Sequence, residues 1–194
     1  MMQQSKKVRY IIVLFLLGVS VVALVGWNIC VGTVRIPLAD IFASIRGEKI
    51  ENSRILWDIR MPRTLAAMIL GGALALAGYL LQTFFHNPIA GPFVLGISSG
   101  AKMVVALVMV FLMGQAVKIT SWALIAAAFV GAMISMGFVL LMSRRVHNMS
   151  MLVVSGVMIG YICSAITELV VTFASDAEIV NLHNWSRGSF SGMT

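Results

Sequence analysis

Long apolar runs separated by short charged stretches dominate this chain. Residues 10–34 carry no charged side chain, and residues 64–85 form a second charge-free run. A helix needs about 20 apolar residues to cross a bilayer core of about 30 Å, so both runs predict membrane-spanning helices. Three later runs of similar length, 94–113, 119–142 and 151–173, predict three more spans.

The stretch between the first two spans is different in character. Residues 35–63 gather six basic and four acidic side chains around Pro37, which predicts an outer extramembrane loop containing one short amphipathic helix. After the last apolar run the chain closes on a polar tail. The sequence therefore predicts an all-α polytopic membrane protein with about five transmembrane helices, organised as a single transmembrane domain over residues 1–194.

Composition supports this class and excludes others. Hydrophobic residues make up 60% of the chain and charged residues 11%, whereas soluble domains are about one-quarter charged. The net charge of +7 does not indicate nucleic acid, because the basic residues flank the apolar runs as topology determinants do. Cys30 and Cys163 lie in apolar segments without CxxC spacing or a histidine cluster, so neither a disulfide framework nor a metal site is predicted.

Small residues recur at four-residue spacing in three of the predicted helices. Such faces let helix backbones approach closely inside a membrane, where packing replaces the hydrophobic drive. They are Gly71 and Ala75 in the second span, Ala123, Ala127, Gly131 and Ser135 in the fourth, and Gly156, Gly160 and Ser164 in the fifth. The pattern predicts a tightly packed helical bundle and, taken alone, no activity.

A specific motif surrounds the second span. It opens with RMPRT at residues 60–64, continues with NPIA at residues 87–90 and ends with LGISSGA at residues 95–101. This run resembles the signature of the FecCD type of ABC-importer permeases, which import iron-siderophores, haem and cobalamin. The matching motif and packing positions are Pro62, Gln82, Asn87, Pro88, Gly96, Ser98, Ser99 and Gly100. We interpret the segment that begins at His86 as a turn in which Asn87 and Pro88 end one helix and Pro92 starts the next.

The resemblance carries expectations about function and partners. It implies a permease subunit that pairs with a second permease subunit, as a homodimer or heterodimer, and works with two ATP-binding subunits and an extracytoplasmic substrate-binding protein. No cofactor is expected on this chain, because ATP is used by the partner subunits. The family topology implies a bacterial or archaeal cell membrane with the N-terminus in the cytoplasm. Family permeases have about ten helices, so we expect this chain to be the N-terminal half of one, apparently truncated.

The resemblance also implies roles for individual residues. Arg60 and Arg63 occupy positions whose arginines pair with acidic residues of the binding protein; the alternative is that they only anchor the span at the interface. Glu168 lies in a helix that borders the family's translocation pathway, and an intramembrane carboxylate is a functional candidate by default. Near a helix end, however, Glu168 could also reach water or pair with a neighbour. The junction before the fifth span suggests a weaker pathway set: Asn148, Met149 and Ser150.

Two features keep other interpretations open. Lys102 follows SSGA where the family usually has a small residue, and it could snorkel or pair internally. Residues 96–100 match the G-x-S-x-G nucleophile elbow, with His86, His147 or His183 as the base, so a membrane-bound serine hydrolase or protease is one alternative. The elbow requires a strand, a turn and a positioned acid, and the chain has no P-loop, so we expect a transport subunit and not an enzyme. A non-transporting truncated remnant is the other alternative.

Overall fold

The computed structural model describes residues 2–48, 52–113, 120–146 and 148–190. Within these ranges the chain is helical and contains no strand, which confirms the predicted all-α class. The helices, numbered in chain order, are α1 (Met2–Cys30), α2 (Leu38–Ile45), α3 (Met61–Phe85), α4 (Ile97–Met113), α5 (Ser121–Ser143), α6 (Met149–Thr172) and α7 (Asp176–Arg187). A π-helical segment, Ile55–Arg60, leads directly into α3.

Four described stretches are long and apolar enough to cross a membrane. They are Lys6–Cys30, Ile55–Phe85, Ser121–Ser143 and Met149–Thr172, while Ile97–Leu112 is apolar but shorter. The sequence predicted the third span to start at residue 94, with Pro92 at its beginning. Instead α4 begins at Ile97 and has 17 residues, because turns fill residues 92–96 and Gly96 has a φ of +70°, a conformation that suits glycine and interrupts a helix.

The predicted outer loop is partly helical. Residues 38–45 form the short helix that we expected, but a continuous helical stretch already begins at Ile55 and runs to Phe85. Pro62 lies near the start of α3, where its ring cannot fit under an ordinary α-turn. The wider π-turn before it relieves this crowding, and the Met61 backbone N–H donates to the carbonyl of Leu56, five residues earlier.

The described residues cluster into two compact units. The first contains residues up to Leu70 together with Phe190, and the second contains Gly71–Ser189. In the first unit, a small core of Ile29, Ile36, Ile41 and Leu56 joins α1, α2 and the π-helical segment. The single domain predicted over residues 1–194 stays a prediction.

The second unit is the helical bundle. Helix α4 packs against α5, α6 and α7. One core cluster, around Leu95, Val139 and Leu152, lies where the segment before α4 meets α5 and α6. A second cluster, around Val105, Met109 and Leu182, joins α4 to α5, α6 and α7. Helix α4 is therefore the central element of this unit.

Candidate functional site

The start of α4 rests on the small-residue face of α6. A Cβ atom added to Gly96 would lie 2.7 Å from both the carbonyl oxygen of Gly156 and the backbone nitrogen of Gly160. A Cβ on Gly156 would lie 2.9 Å from the Cα of Leu95. Contacts this close leave no room for a side chain, so the glycines predicted as a packing face in the fifth span do pack, and their partner is the motif itself.

The same end of α4 also contacts α5. A Cβ added to Gly100 would overlap the hydroxyl oxygen of Ser135 and would lie 2.6 Å from the carbonyl oxygen of Gly131. A Cβ atom added to Gly131 would in turn overlap the carbonyl oxygen of Gly100. The small face predicted in the fourth span is thus used at these positions, whereas Gly71 in α3 has no heavy atom within 4 Å of an added Cβ.

These contacts fix the depth at which α4 begins. Gly160 is halfway along the 24 residues of α6, about 17 Å from its start at 1.5 Å per residue. Because Gly96 lies beside Gly160, Ser98 and Ser99 stand next to the middle of a membrane-spanning helix and Lys102 lies one turn further on. The irregular stretch before α4 therefore runs along the first half of α6, with Ala90, Leu95 and Gly96 buried against the protein and Phe93 exposed.

A polar cavity of about 570 Å³ opens at this level. Helix α4 contributes Ser98, Ser99 and Lys102, and α6 contributes Ser164, whose hydroxyl donates to Ser99 Oγ at 3.5 Å. A neighbouring cleft of about 300 Å³ shares Phe93, Ser99 and Ser164 with it. The remaining wall of the cavity comes from the end of α7: Trp185, Ser186, Arg187 and Gly188.

Helix α7 reaches the cavity because it folds back along α4. Its N-terminus has a capping box, in which the Ser175 backbone N–H donates to Glu178 Oε2 at 2.8 Å. Leu182 is buried in the cluster with Val105 and Met109 of α4, and this contact holds the helix against the bundle. Nothing in the sequence indicated that Arg187 would share a cavity with Lys102.

The Arg60 side chain binds backbone carbonyl groups at and just after the end of α1. Its guanidinium donates to the carbonyl oxygen of Ile29, one of the groups that a helix C-terminus leaves without partners, and to that of Val34 in the segment that follows α1. Gly32 admits the guanidinium, since an added Cβ would lie 2.6 Å from Nη2 of Arg60. Arg63 lines the same cavity of about 600 Å³. The proposed docking role of Arg60 and Arg63 stays a prediction.

The other predicted pathway residues lie on α6. Glu168 is exposed in its second half, and its backbone carbonyl accepts a bond from the Thr172 hydroxyl at 3.0 Å. Asn148 caps the start of α6, where its side chain accepts from the Ser150 backbone N–H at 2.9 Å. Met149 and Ser150 are exposed beside it. These residues do not line the cavity that contains Lys102, and their pathway roles stay predictions.

The motif residues before α4 shape the backbone. Asn87 Oδ1 accepts from the Ile89 backbone N–H at 3.0 Å, an Asx-turn that ends α3, and His86 has a φ of 49°. Pro88 is the middle residue of this turn and is exposed, as is Gln82 in the last turns of α3. The motif around the turn is therefore mainly architectural.

The described residues contain no catalytic arrangement of the kind that a serine hydrolase requires. Ser98 and Ser99 lie in the first turn of α4, where the nearest hydroxyl partner of Ser99 is Ser164 and the cavity lining contains no histidine. His147 lies outside the described residues. Among the residues that the structure describes, no group of three histidine, cysteine or acidic side chains could hold a metal ion. Cys163 instead lies 3.8 Å from the Ser135 hydroxyl, Sγ to Oγ.

Comparison with known proteins agrees with the sequence motif. The FecCD transport family profile matches residues 11–194. The chain is 36% identical, over 98% of its length, to the vitamin B12 import system permease protein BtuC of Shigella boydii serotype 18, and 37% identical over the same share to that of Salmonella newport. It covers 55% of each relative. The chain thus spans about half the length of the curated relatives it matches.

A solved structure shares the fold. It is described as an inward-facing conformation of a metal-chelate type ABC transporter, and it superimposes with a TM-score of 0.74 at 22% identity over 94% of this chain and 55% of that one. At this identity the likeness concerns the fold alone. Because the family profile matches nearly the whole sequence, this chain belongs to the FecCD transport family.

Proposed function

We propose that this chain forms the N-terminal half of the permease subunit of an ABC importer for an iron-siderophore or a related metal chelate such as haem or cobalamin. The observation that carries the proposal is the cavity beside the second half of α6, where Ser98, Ser99, Lys102 and Ser164 interrupt otherwise apolar helices. Polar side chains at membrane depth are costly and usually mark a route for a polar cargo. The FecCD family membership supports the same activity.

The proposed mechanism is alternating access without covalent chemistry on this chain. Two separate ATP-binding subunits close inside the cell, a second permease subunit completes the pathway, and a binding protein delivers the cargo outside. The chain would lie in the cell membrane with its N-terminus in the cytoplasm. A partner can shift the equilibrium between the two states only if it binds one of them more tightly than the other. Delivery of the cargo and binding of ATP must therefore favour different states.

Within this mechanism, Arg60 and Arg63 serve as docking positions for acidic residues of the binding protein. A guanidinium is always charged and its fork of donors suits a carboxylate. Both arginines line one cavity in the first unit, which supports a shared surface. Glu168 and the residues at the start of α6, Asn148, Met149 and Ser150, are the further proposed pathway contacts.

The test is uptake by the complete importer. The full-length subunit that contains this sequence is reconstituted into proteoliposomes with its ATP-binding subunits and binding protein. Uptake of radiolabelled cobalamin, haem and ferric siderophores is then followed with and without ATP inside. We expect ATP-dependent accumulation of at least one of these chelates. If none accumulates while the assembled complex hydrolyses ATP, a non-transporting role is favoured and the proposal fails.

A further inference from the structure

We infer that Lys102 and Arg187 form a binding site for an anionic chelate, so that the cargo of this permease carries negative charge where it passes α4 and α7. The inference rests on the proposed function for the identity of the cargo. It does not rest on that function for the binding chemistry, which follows from the charges and hydroxyl groups of one cavity. Both cations line this cavity, together with four serines and the aromatic residues Phe93 and Trp185.

The charge of the cavity is one-sided. Among the residues that the structure describes, its lining contains two cationic side chains and no aspartate or glutamate. Within the same described part of the chain, the Lys102 ammonium and the Arg187 guanidinium make no hydrogen bond or ion pair. Glu168, the carboxylate in α6, is not part of the lining. The positive charge is therefore left for a ligand to neutralise.

Lys102 lies in the second half of the span. Gly96 lies beside Gly160 and Ser99 beside Ser164, so α4 and α6 run in the same direction. Lys102 follows Gly96 by six residues and is therefore level with a point on α6 roughly 9 Å before the end of that helix. An ammonium group at this depth must face water, an anion or the interface, and Lys102 lines the cavity that also contains Arg187.

The rest of the lining complements oxygen-rich anions. Serine hydroxyls can each donate one hydrogen bond, and Ser98 and Ser99 also lie in the first turn of α4, the positive end of its dipole. A guanidinium offers a planar fork of donors, whereas an ammonium acts as a compact charge. Phe93 is 82% exposed and, with Trp185, provides an apolar surface for the organic part of a chelate. The ligand class is an anionic metal chelate with oxygen donors at its periphery.

The site is tested with two iron chelates that differ in charge. The full-length subunit is placed in phosphatidylcholine nanodiscs, and equilibrium binding of radioactive iron is measured for a trianionic tricatecholate complex and for a neutral trihydroxamate complex. We expect the trianionic complex to bind at least about tenfold more tightly, as one or two charge-assisted hydrogen bonds allow. Equal affinity for the two complexes would overturn the inference.

Variants assign the binding to the cavity. Lys102→Gln and Arg187→Gln should each weaken binding of the tricatecholate complex about tenfold, whereas Lys102→Arg should preserve it. The matched control is Arg145→Gln, which removes an exposed cation beyond the end of α5 and should leave binding unchanged. Monodisperse size-exclusion profiles confirm that each variant folds. An effect of Arg145→Gln as large as that of Lys102→Gln would indicate non-specific charge attraction and overturn the assignment.

Lipid is the other source of an anion, and a second arm separates it from cargo. Replacing part of the phosphatidylcholine by phosphatidylglycerol should change the affinity for the tricatecholate complex less than twofold. Loss of that binding in phosphatidylglycerol discs would show that the cations hold a lipid phosphate and would overturn the cargo assignment.

Uptake by the complete importer separates the inference from the proposed function. If chelates are imported but Lys102→Gln and Arg187→Gln change neither binding nor uptake, the inference fails and the proposed function stands. If the tricatecholate complex binds through these two residues but no chelate is taken up with ATP, the anion site stands and the proposed function fails.

Discussion

The Cα atom of Gly96 lies 3.2 Å from the position that a Cβ atom on Gly160 would occupy. This contact joins the family motif to the middle of α6 and sets the depth of α4. Every polar group of the candidate pathway on α4, from Ser98 to Lys102, is positioned by it. The first prediction therefore concerns the glycine that makes it possible.

Gly96→Ala should destabilise the protein by about 2–4 kcal/mol, because the new methyl group meets backbone atoms of α6 and the residue must keep a positive φ. Thermal unfolding of the full-length subunit in detergent measures the effect. Gly72→Ala in α3 is the matched control, since no heavy atom lies within 4 Å of its added Cβ. Similar melting temperatures for the two variants would contradict the close contact.

Gly131→Ala should cost about 1–3 kcal/mol, because its methyl group would press on the carbonyl group of Gly100 in α4. Gly137→Ala on the same helix meets nothing within 4 Å and should be neutral or slightly stabilising. The two variants are compared by thermal unfolding under identical conditions. A neutral Gly131→Ala would mean that α4 and α5 do not pack in this register.

Arg60→Ala should loosen the end of α1, because two backbone carbonyls lose their donor. The side chain is only half-buried, so we expect a loss of about 1–2 kcal/mol. Hydrogen exchange at the Val31 and Ile36 amides reports on this region, since their N–H groups bond to Trp27 and Cys30. Arg54→Ala, an exposed cation before the π-helical segment, serves as the control and should leave exchange unchanged.

Charge reversal tests the docking role. Arg63→Glu in the complete importer should weaken binding-protein association at least about tenfold, and Arg46→Glu, at the exposed end of α2, should not. Surface plasmon resonance with the immobilised binding protein measures the affinity. The affinity of the Arg60→Lys variant is a second measurement, because lysine keeps the positive charge but not the planar fork of hydrogen-bond donors. Association unaffected by Arg63→Glu would favour a purely anchoring role.

Asn148 offers a way to separate a cap from a pathway contact. Asn148→Ala should cost about 1 kcal/mol through the lost bond to the Ser150 amide. Asn148→Asp restores an acceptor at the cap, so stability should return with it. If uptake follows stability across both variants, capping explains the residue. If Asn148→Asp is stable but transports poorly, the side chain meets the cargo or closes the route.

Part of this fold is predictable from the sequence, for physical reasons. Long apolar runs of about 20 residues predict spans, and α1, α5 and α6 fall where those runs lie. The small faces containing Gly131 and Gly156 are buried as predicted, because spacing of four is enough to align residues on a helix. The alternation of charges in residues 54–63 obscured the helical start at Ile55, since a π-turn around Pro62 has no simple sequence pattern.

The candidate site was harder to foresee. Lys102 was conspicuous within an apolar run, but its partner in the cavity, Arg187, lies 85 residues later by their numbers. Only the return of α7 along α4 brings the two together. Likewise, the contacts of Arg60 with Ile29 and Val34 depend on how the chain turns after α1.

The short length of α4 has a consequence for how the protein is made. Its 17 residues extend about 25 Å, and Lys102, in its second turn, adds an insertion cost of at most about 2.5–3.5 kcal/mol, the value for a lysine at a helix centre. On its own, α4 is therefore a poor substrate for the insertion machinery. Helix α4 is therefore stable in the membrane only when α5 and α6 are also present, because glycines of these two helices form the surfaces on which it packs. Biogenesis of this bundle is then a concerted event, in which the central helix enters the membrane with the two helices that follow it.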